Sequence, residues 1–284
     1  MKHINTQTTQ KGVSLIELLV GIAIGLLTIT VAMGALMASR NVSGSVSDVS
    51  QIQQQAAYAF RDFGRQLRQA GSLRLNLAPQ KISGEVIDVA DPVAFETAVS
   101  GFTPSTDSIV GIDAPSSSQY KLTVGYRNYT EPVFSSSTEE SLQRNCLGQQ
   151  NSLALIQSRF TLNTSTNELQ CAGSSTPQPF VQNVANFEVR YLVQTDPAPF
   201  GNPQLQYINA AAVTAAAAWP QVQGVEICLV LYGNEVVDMP SGTTYKDCDG
   251  TTSVNITTLS SPRKNRVHMA FRSVYQLRSQ GLAG

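Results

Sequence analysis

Between Val13 and Ser39 the chain runs for 27 residues with a single charge, Glu17. At about 1.5 Å of rise per helical residue the run covers roughly 40 Å, more than the ~30 Å hydrocarbon core of a bilayer, so it reads as a membrane-spanning helix. Glu17 is its odd feature, because a carboxylate in an apolar span costs on the order of 2.5 to 3.5 kcal/mol at full depth and asks for a partner. A secretory signal fits poorly. Its apolar region runs about 7 to 15 residues and ends at a small-residue cleavage site, whereas the small-residue step here, Lys11-Gly12, stands at the start of the run. Any cut is therefore expected before the apolar run. Lys2, His3 and Lys11 precede the span and Arg40 alone follows it closely, which puts the N-terminus in the cytoplasm.

The run continues without a proline into Arg40–Ala70. There Val42, Val46, Val49, Ile52, Ala56, Phe60, Phe63, Leu67 and Ala70 follow one another at gaps of three and four, the stripe of an amphipathic helix, with Gly71 placed to end it. The two pieces predict one helix of about 58 residues, roughly 87 Å long. Its first half is apolar all round and belongs among lipids or other helices; its second half has one buried face for the chain's own domain. Gly44 and Gly64 each cost about 1 kcal/mol against alanine, so bending or fraying is expected near Asn41 to Gly44. The chain thus divides into a leader over 1–12, a span over 13–39, an amphipathic continuation over 40–70 and a head over 71–284.

After Gly71 the periodicity changes. Short candidate strands lie around Lys81–Val89, Ser108–Ile112, Tyr120–Tyr129 and Ser152–Leu162, between stretches rich in Ser, Pro, Gly and Thr. Three later sets alternate more clearly: Phe187, Val189, Tyr191 and Val193; Val225, Ile227, Leu229 and Leu231; and Val267, Met269, Phe271, Tyr275 and Leu277. These are expected as central antiparallel strands covering the helix, giving an α+β head of about 200 residues. The alanine-rich Asn209–Trp219 predicts a short helix ending at Pro220, and Met239–Lys264 a polar loop.

Charged residues make up only 14% of the chain and the net charge is -1, so no basic footprint supports nucleic-acid binding. Cys146, Cys171, Cys228 and Cys248 all follow the span, at separations of 25, 57 and 20. None has the short spacing of a zinc site, and only His3 and His268 add imidazoles, so two disulfides in an oxidising compartment are expected. Three connectivities are open; the sequence-local one, Cys146 to Cys171 and Cys228 to Cys248, is the expectation.

Other chemistry is thinly represented. Asp247-Cys248-Asp249-Gly250 has the alternating acids of a calcium loop without the rest of the pattern, and an Asp-Gly turn beside a disulfide is the plainer reading. No nucleophile elbow is present, and His268, expected as a surface strand residue, offers no positioned base. Tyr120, Tyr126 and Tyr129 are a candidate sugar-binding surface or, more commonly, strand residues packed on the sheet. Asn128, Asn163 and Asn255 begin N-glycosylation patterns, a short motif that carries little weight by itself. Gly21 and Gly25 form a G-x-x-x-G step that permits close helix approach. No metal, cofactor or enzymatic activity is expected.

The stretch Lys11-Gly12-Val13-Ser14-Leu15-Ile16-Glu17 resembles the type III signal of type IV pilins and type II secretion pseudopilins: a basic leader, a glycine before the scissile bond and a glutamate five residues after it. Val222–Leu231 and Phe271–Arg278 look like the PilW type of minor pilin, related to the J-type pseudopilin. The resemblance implies a type IV pilin-like fold, in which a long N-terminal helix with a hydrophobic first half packs on an antiparallel β-sheet head. It implies that prepilin peptidase cuts after Gly12 and methylates the new amine of Val13, where most relatives have Phe. That amine, on this or a neighbouring subunit, is a partner for Glu17.

The function so implied is that of a minor pilin that primes pilus assembly and enters the filament, in a tip complex with other minor pilins. Its implied partners are those pilins, the major pilin, the inner-membrane assembly platform and prepilin peptidase. The implied location is the bacterial inner membrane, N-terminus cytoplasmic and head periplasmic, and then the extracellular pilus. The rivals are a J-type pseudopilin of a type II secretion system and a membrane-anchored periplasmic adhesin or binding module; an anchored hydrolase lacks a base.

Overall fold

The computed structural model describes residues 12–73, 101–132, 134, 139–141, 143–150, 154–195, 201 and 203–277. The chain divides into two compact units, 1–47 and 48–284. One helix, α1 (Leu15–Gln69), contributes to both, and it is unbroken through 41–44, where fraying was expected.

In the first unit the stretch Leu15–Met37 has a mean hydropathy of 2.4 and none of it is buried within the chain. It is long and apolar enough to cross a membrane. In the second unit α1 buries Ile52, Ala56, Ala59, Phe63 and Leu67, with Ala70 just beyond its end. This corrects the stripe: Val46 is 64% exposed, and Ala59 rather than Phe60 lies at the fully buried position. The helix stops where Gly71 takes a positive φ of 67° and donates its N–H to the Gly125 carbonyl at 3.0 Å.

The head opens with a short helix, α2 (Pro104–Asp107), then β1 (Ile109–Gly111), β2 (Leu122–Arg127), β3 (Thr130–Pro132), β4 (Glu139–Ser141), β5 (Leu155–Asn163), β6 (Glu168–Ala172) and β7 (Gln178–Val181). It continues with β8 (Val184–Thr195), β9 (Gln204–Ile208), α3 (Ala210–Ala215), β10 (Val222–Tyr232), β11 (Thr244–Lys246), β12 (Ser253–Asn255) and β13 (His268–Gln276). One antiparallel sheet has the order β1-β2-β5-β6-β7 and a second the order β13-β10-β8-β9; β3-β4 and β11-β12 are separate ribbons. The three alternating segments are thus neighbours, with Leu229 between Phe187 and Phe271.

Their inner faces and those of the first sheet share one core with α1. Phe63 is its hub, with ring centroids 4.7 Å from Phe160, 5.8 Å from Phe187 and 5.9 Å from Phe180. Gly64 has a packing reason that outweighs its helix penalty: a Cβ there would stand 2.8 Å from Cε1 of Tyr275, whose hydroxyl donates to the Phe60 carbonyl at 2.6 Å.

Three expectations need revision. The 239–264 stretch is not a plain loop, since it holds the β11-β12 ribbon and a 3-10 turn over Ile256–Thr258. The alanine-rich helix is shorter than predicted; Ala217 turns to a φ of 50°, and Pro220 sits inside a separate 3-10 turn, Trp219–Gln221. His268 is not a surface residue: at 8% exposure it lies beneath the ribbon, its ring stacked on Tyr245 at 4.8 Å. The candidate strand at Lys81–Val89 lies outside the described residues.

Candidate functional site

At the start of the described chain, Gly12, Val13 and Ser14 precede the helix and are exposed, Val13 by 75%. A Cβ at Gly12 would meet nothing within 4 Å among the described residues, so no packing within the chain calls for glycine there. The first intrahelical bond runs from the Leu18 N–H to the Ser14 carbonyl at 3.1 Å, which makes Ser14 the N-cap.

Glu17 is the third residue of the helix, and it closes a reciprocal box with that cap. The Ser14 N–H donates to Glu17 Oε2 at 3.0 Å, the Ser14 hydroxyl donates to the same oxygen at 3.0 Å, and the Glu17 N–H donates to Ser14 Oγ at 3.3 Å. The carboxylate therefore finds its first partner in its own turn. S-x-x-E before an apolar run is the sequence signal for such a box. Both bonds that the carboxylate accepts are at Oε2.

Beyond the box the helix presents apolar side chains on every side, from Leu15 at 77% exposure to Met37 at 66%. Such a surface is covered by lipid or by other helices. A Cβ at Gly21 or Gly25 would likewise meet nothing within 4 Å.

In the head, the disulfides join Cys146 to Cys171 and Cys228 to Cys248. The second ties the outer face of β10 to the ribbon, in a small cluster of Cys228, Val230 and Cys248 against Ala185 and Tyr245. Asp249 is spent on its turn: it accepts from the N–H groups of Thr251 at 2.9 Å and Thr252 at 2.8 Å and from the Thr252 hydroxyl, contacts that hold its carboxyl well below the usual range. Asp247 Oδ1 accepts from Asn186 at 2.9 Å and from the Cys248 N–H at 2.7 Å.

The three tyrosines do not form one surface. Tyr126 is fully buried, its hydroxyl bridging Gln66 Oε1 at 3.0 Å and the Arg144 carbonyl at 2.6 Å, and burial pushes its pKa up. Tyr120 lies half-buried under the Arg159 guanidinium, 4.8 Å from its ring centroid. His268 Nδ1 donates to the Arg266 carbonyl at 2.8 Å, and burial, with Arg263 and Arg266 nearby, pushes its pKa down.

Residues 7–33 match the family model for the prokaryotic N-terminal methylation motif, which takes in Gly12, Val13, Ser14 and Glu17. Residues 148–279 match the model for type IV pilus-assembly protein W, from before β5 to the end of β13. Among solved structures, a type IV-like pilin from Thermus thermophilus is similar at 14% identity and a TM-score of 0.35, over 79% of this chain and 96% of that one. No curated protein matches. Over 148–279 the chain is thus similar to type IV pilus-assembly protein W, and its apolar helix with a methylation motif fits a membrane-anchored pilin.

Proposed function

We propose that this chain, PilW-like over 148–279 and bearing the methylation motif over 7–33, is a minor pilin that primes type IV pilus assembly from the inner membrane and then enters the filament, in a tip complex. The observation that carries the reading is the pairing of a processing motif with a helix whose apolar surface the chain itself leaves uncovered. A cut after Gly12 frees the amine of Val13 one residue ahead of the Ser14–Glu17 box. On this reading the N-terminus is cytoplasmic and the head periplasmic, and the protein works by contact, without catalysis of its own. Its partners are other minor pilins, the major pilin, the assembly platform and prepilin peptidase.

Mass spectrometry of the mature protein tests the first step, with a chain that begins at N-methylated Val13 as the expected result. An intact leader would sink the pilin reading. Deletion tests the second: loss of surface pili with protein secretion unaffected is expected, and the reverse pattern would assign the chain to a type II secretion system.

A further inference from the structure

Upstream of Ile52, the second unit holds its helix by polar contacts. Val49 is only half-buried, whereas Asp48, a carboxylate, is 4% exposed. Its Oδ1 accepts the N–H of Asn234 at 3.1 Å and its Oδ2 accepts the N–H of Glu235 at 2.8 Å. Less than one turn on, Gln51 Oε1 accepts from Asn234 Nδ2 at 2.9 Å. The gripping turn, 233–235, is itself fixed. The Gly233 N–H donates to the Val267 carbonyl at 2.9 Å, the Arg266 guanidinium donates to the Gly233 carbonyl at 3.0 Å and to that of Asn234, and Asn183 Nδ2 donates to Asn234 Oδ1 at 2.7 Å. Gly233 leaves the space the carboxylate fills, since a Cβ there would stand 2.3 Å from Oδ2.

We propose that Asp48 and the 233–235 turn form a latch that decides how much of α1 the head holds. Closed, it keeps the turn from Asp48 to Gln51 on the head; open, it releases that turn while the apolar spine from Ile52 onward stays in place. The two holds differ in kind. Water replaces the hydrogen bonds of the Asp48 carboxylate when it leaves the turn, whereas Ile52, Ala56 and Phe63 leave the head only by exposing apolar surface. Opening is therefore local, and it lengthens the part of the helix free of the head by about one turn. The latch stands on the head's own contacts and does not depend on the pilin reading.

Hydrogen exchange read by mass spectrometry, on the full chain in detergent micelles, tests this. Asp48→Ala is expected to speed exchange of the 48–52 amides about tenfold, with 56–69 and β10 unchanged within roughly twofold. Gly233→Ala displaces the carboxylate from the opposite side and is expected to do the same, and the double variant to add nothing further. Unaltered 48–52 exchange in either single variant, additive acceleration in the double variant, or equal acceleration throughout 48–69 would overturn the latch.

Discussion

Glu17 enters any assembly with one carboxylate oxygen already held by Ser14, so two substitutions at the box separate its roles. On the pilin reading, Ser14→Ala removes the cap at about 1 kcal/mol and is expected to lower incorporation into pili, with cleavage after Gly12 intact. Glu17→Ala is expected to abolish incorporation and spare processing, as read by the ratio of processed to filament-borne protein; normal piliation would refute the assembly contact. His268 gives a prediction in pH. Burial holds its folded-state pKa below the ordinary 6.5, helped by Arg263 and Arg266 and opposed by its bond to the Arg266 carbonyl, so the unfolded chain takes up the proton first as pH falls. The contribution of the neutral ring is complete above about pH 6.5 and is lost below it, by at most ~1.4 kcal/mol per pH unit, until the folded pKa is passed. Urea titrations of wild type and His268→Gln between pH 7 and pH 5 check this, with a flatter dependence expected for the variant.

At the scale of elements, the amphipathic half of α1 and the sheets share one core, and its hub carries the largest single-site prediction. Phe63→Ala is expected to cost about 3 to 5 kcal/mol in chemical denaturation, because four aromatic rings pack there and close incompletely around a void. Gln66 acts differently. Its Oε1 accepts from the Tyr126 and Ser158 hydroxyls at 3.0 and 2.8 Å and is fully buried, so Gln66→Ala is expected to cost on the order of 2 kcal/mol through unpaired partners. The helix and the strands β8, β10 and β13 were legible in the sequence because each keeps its period over many residues. The ribbon β11-β12 and the edge strand β9 were not: the first is short and polar and is tied down by a disulfide, and the second exposes Leu205 and Tyr207 and shows no alternation into a core. His268 was misjudged for the same reason, since its cover comes from the ribbon. At the site, the Ser14–Glu17 box was readable from its spacing. The clasp of Asp48 was not, because its partner stands 186 residues away and a lone acid on a helix carries no local sign of it.

For the whole molecule, the division into two units separates what folds the head from what the apolar helix is for. Among the described residues, every member of the main core lies at or beyond Ile52, as do both disulfides, while none of the Leu15–Met37 stretch is buried. Removing the first unit therefore deletes none of these core residues and takes away the exposed apolar stretch Leu15–Met37. A chain beginning at Asp48 is expected to remain monodisperse without detergent and to unfold cooperatively, within a few degrees of the full chain's melting temperature in micelles, since a ΔΔG of about 1 kcal/mol moves a domain of this size by roughly 2 to 4 °C. Circular dichroism melts and light scattering measure both. Aggregation, or a loss of cooperativity, would mean that the apolar helix supports the head as well as anchoring it. Retention of fold would leave the chemistry of the helix, its box at Ser14 and Glu17 and its exposed apolar surface, to be explained by what lies outside this chain.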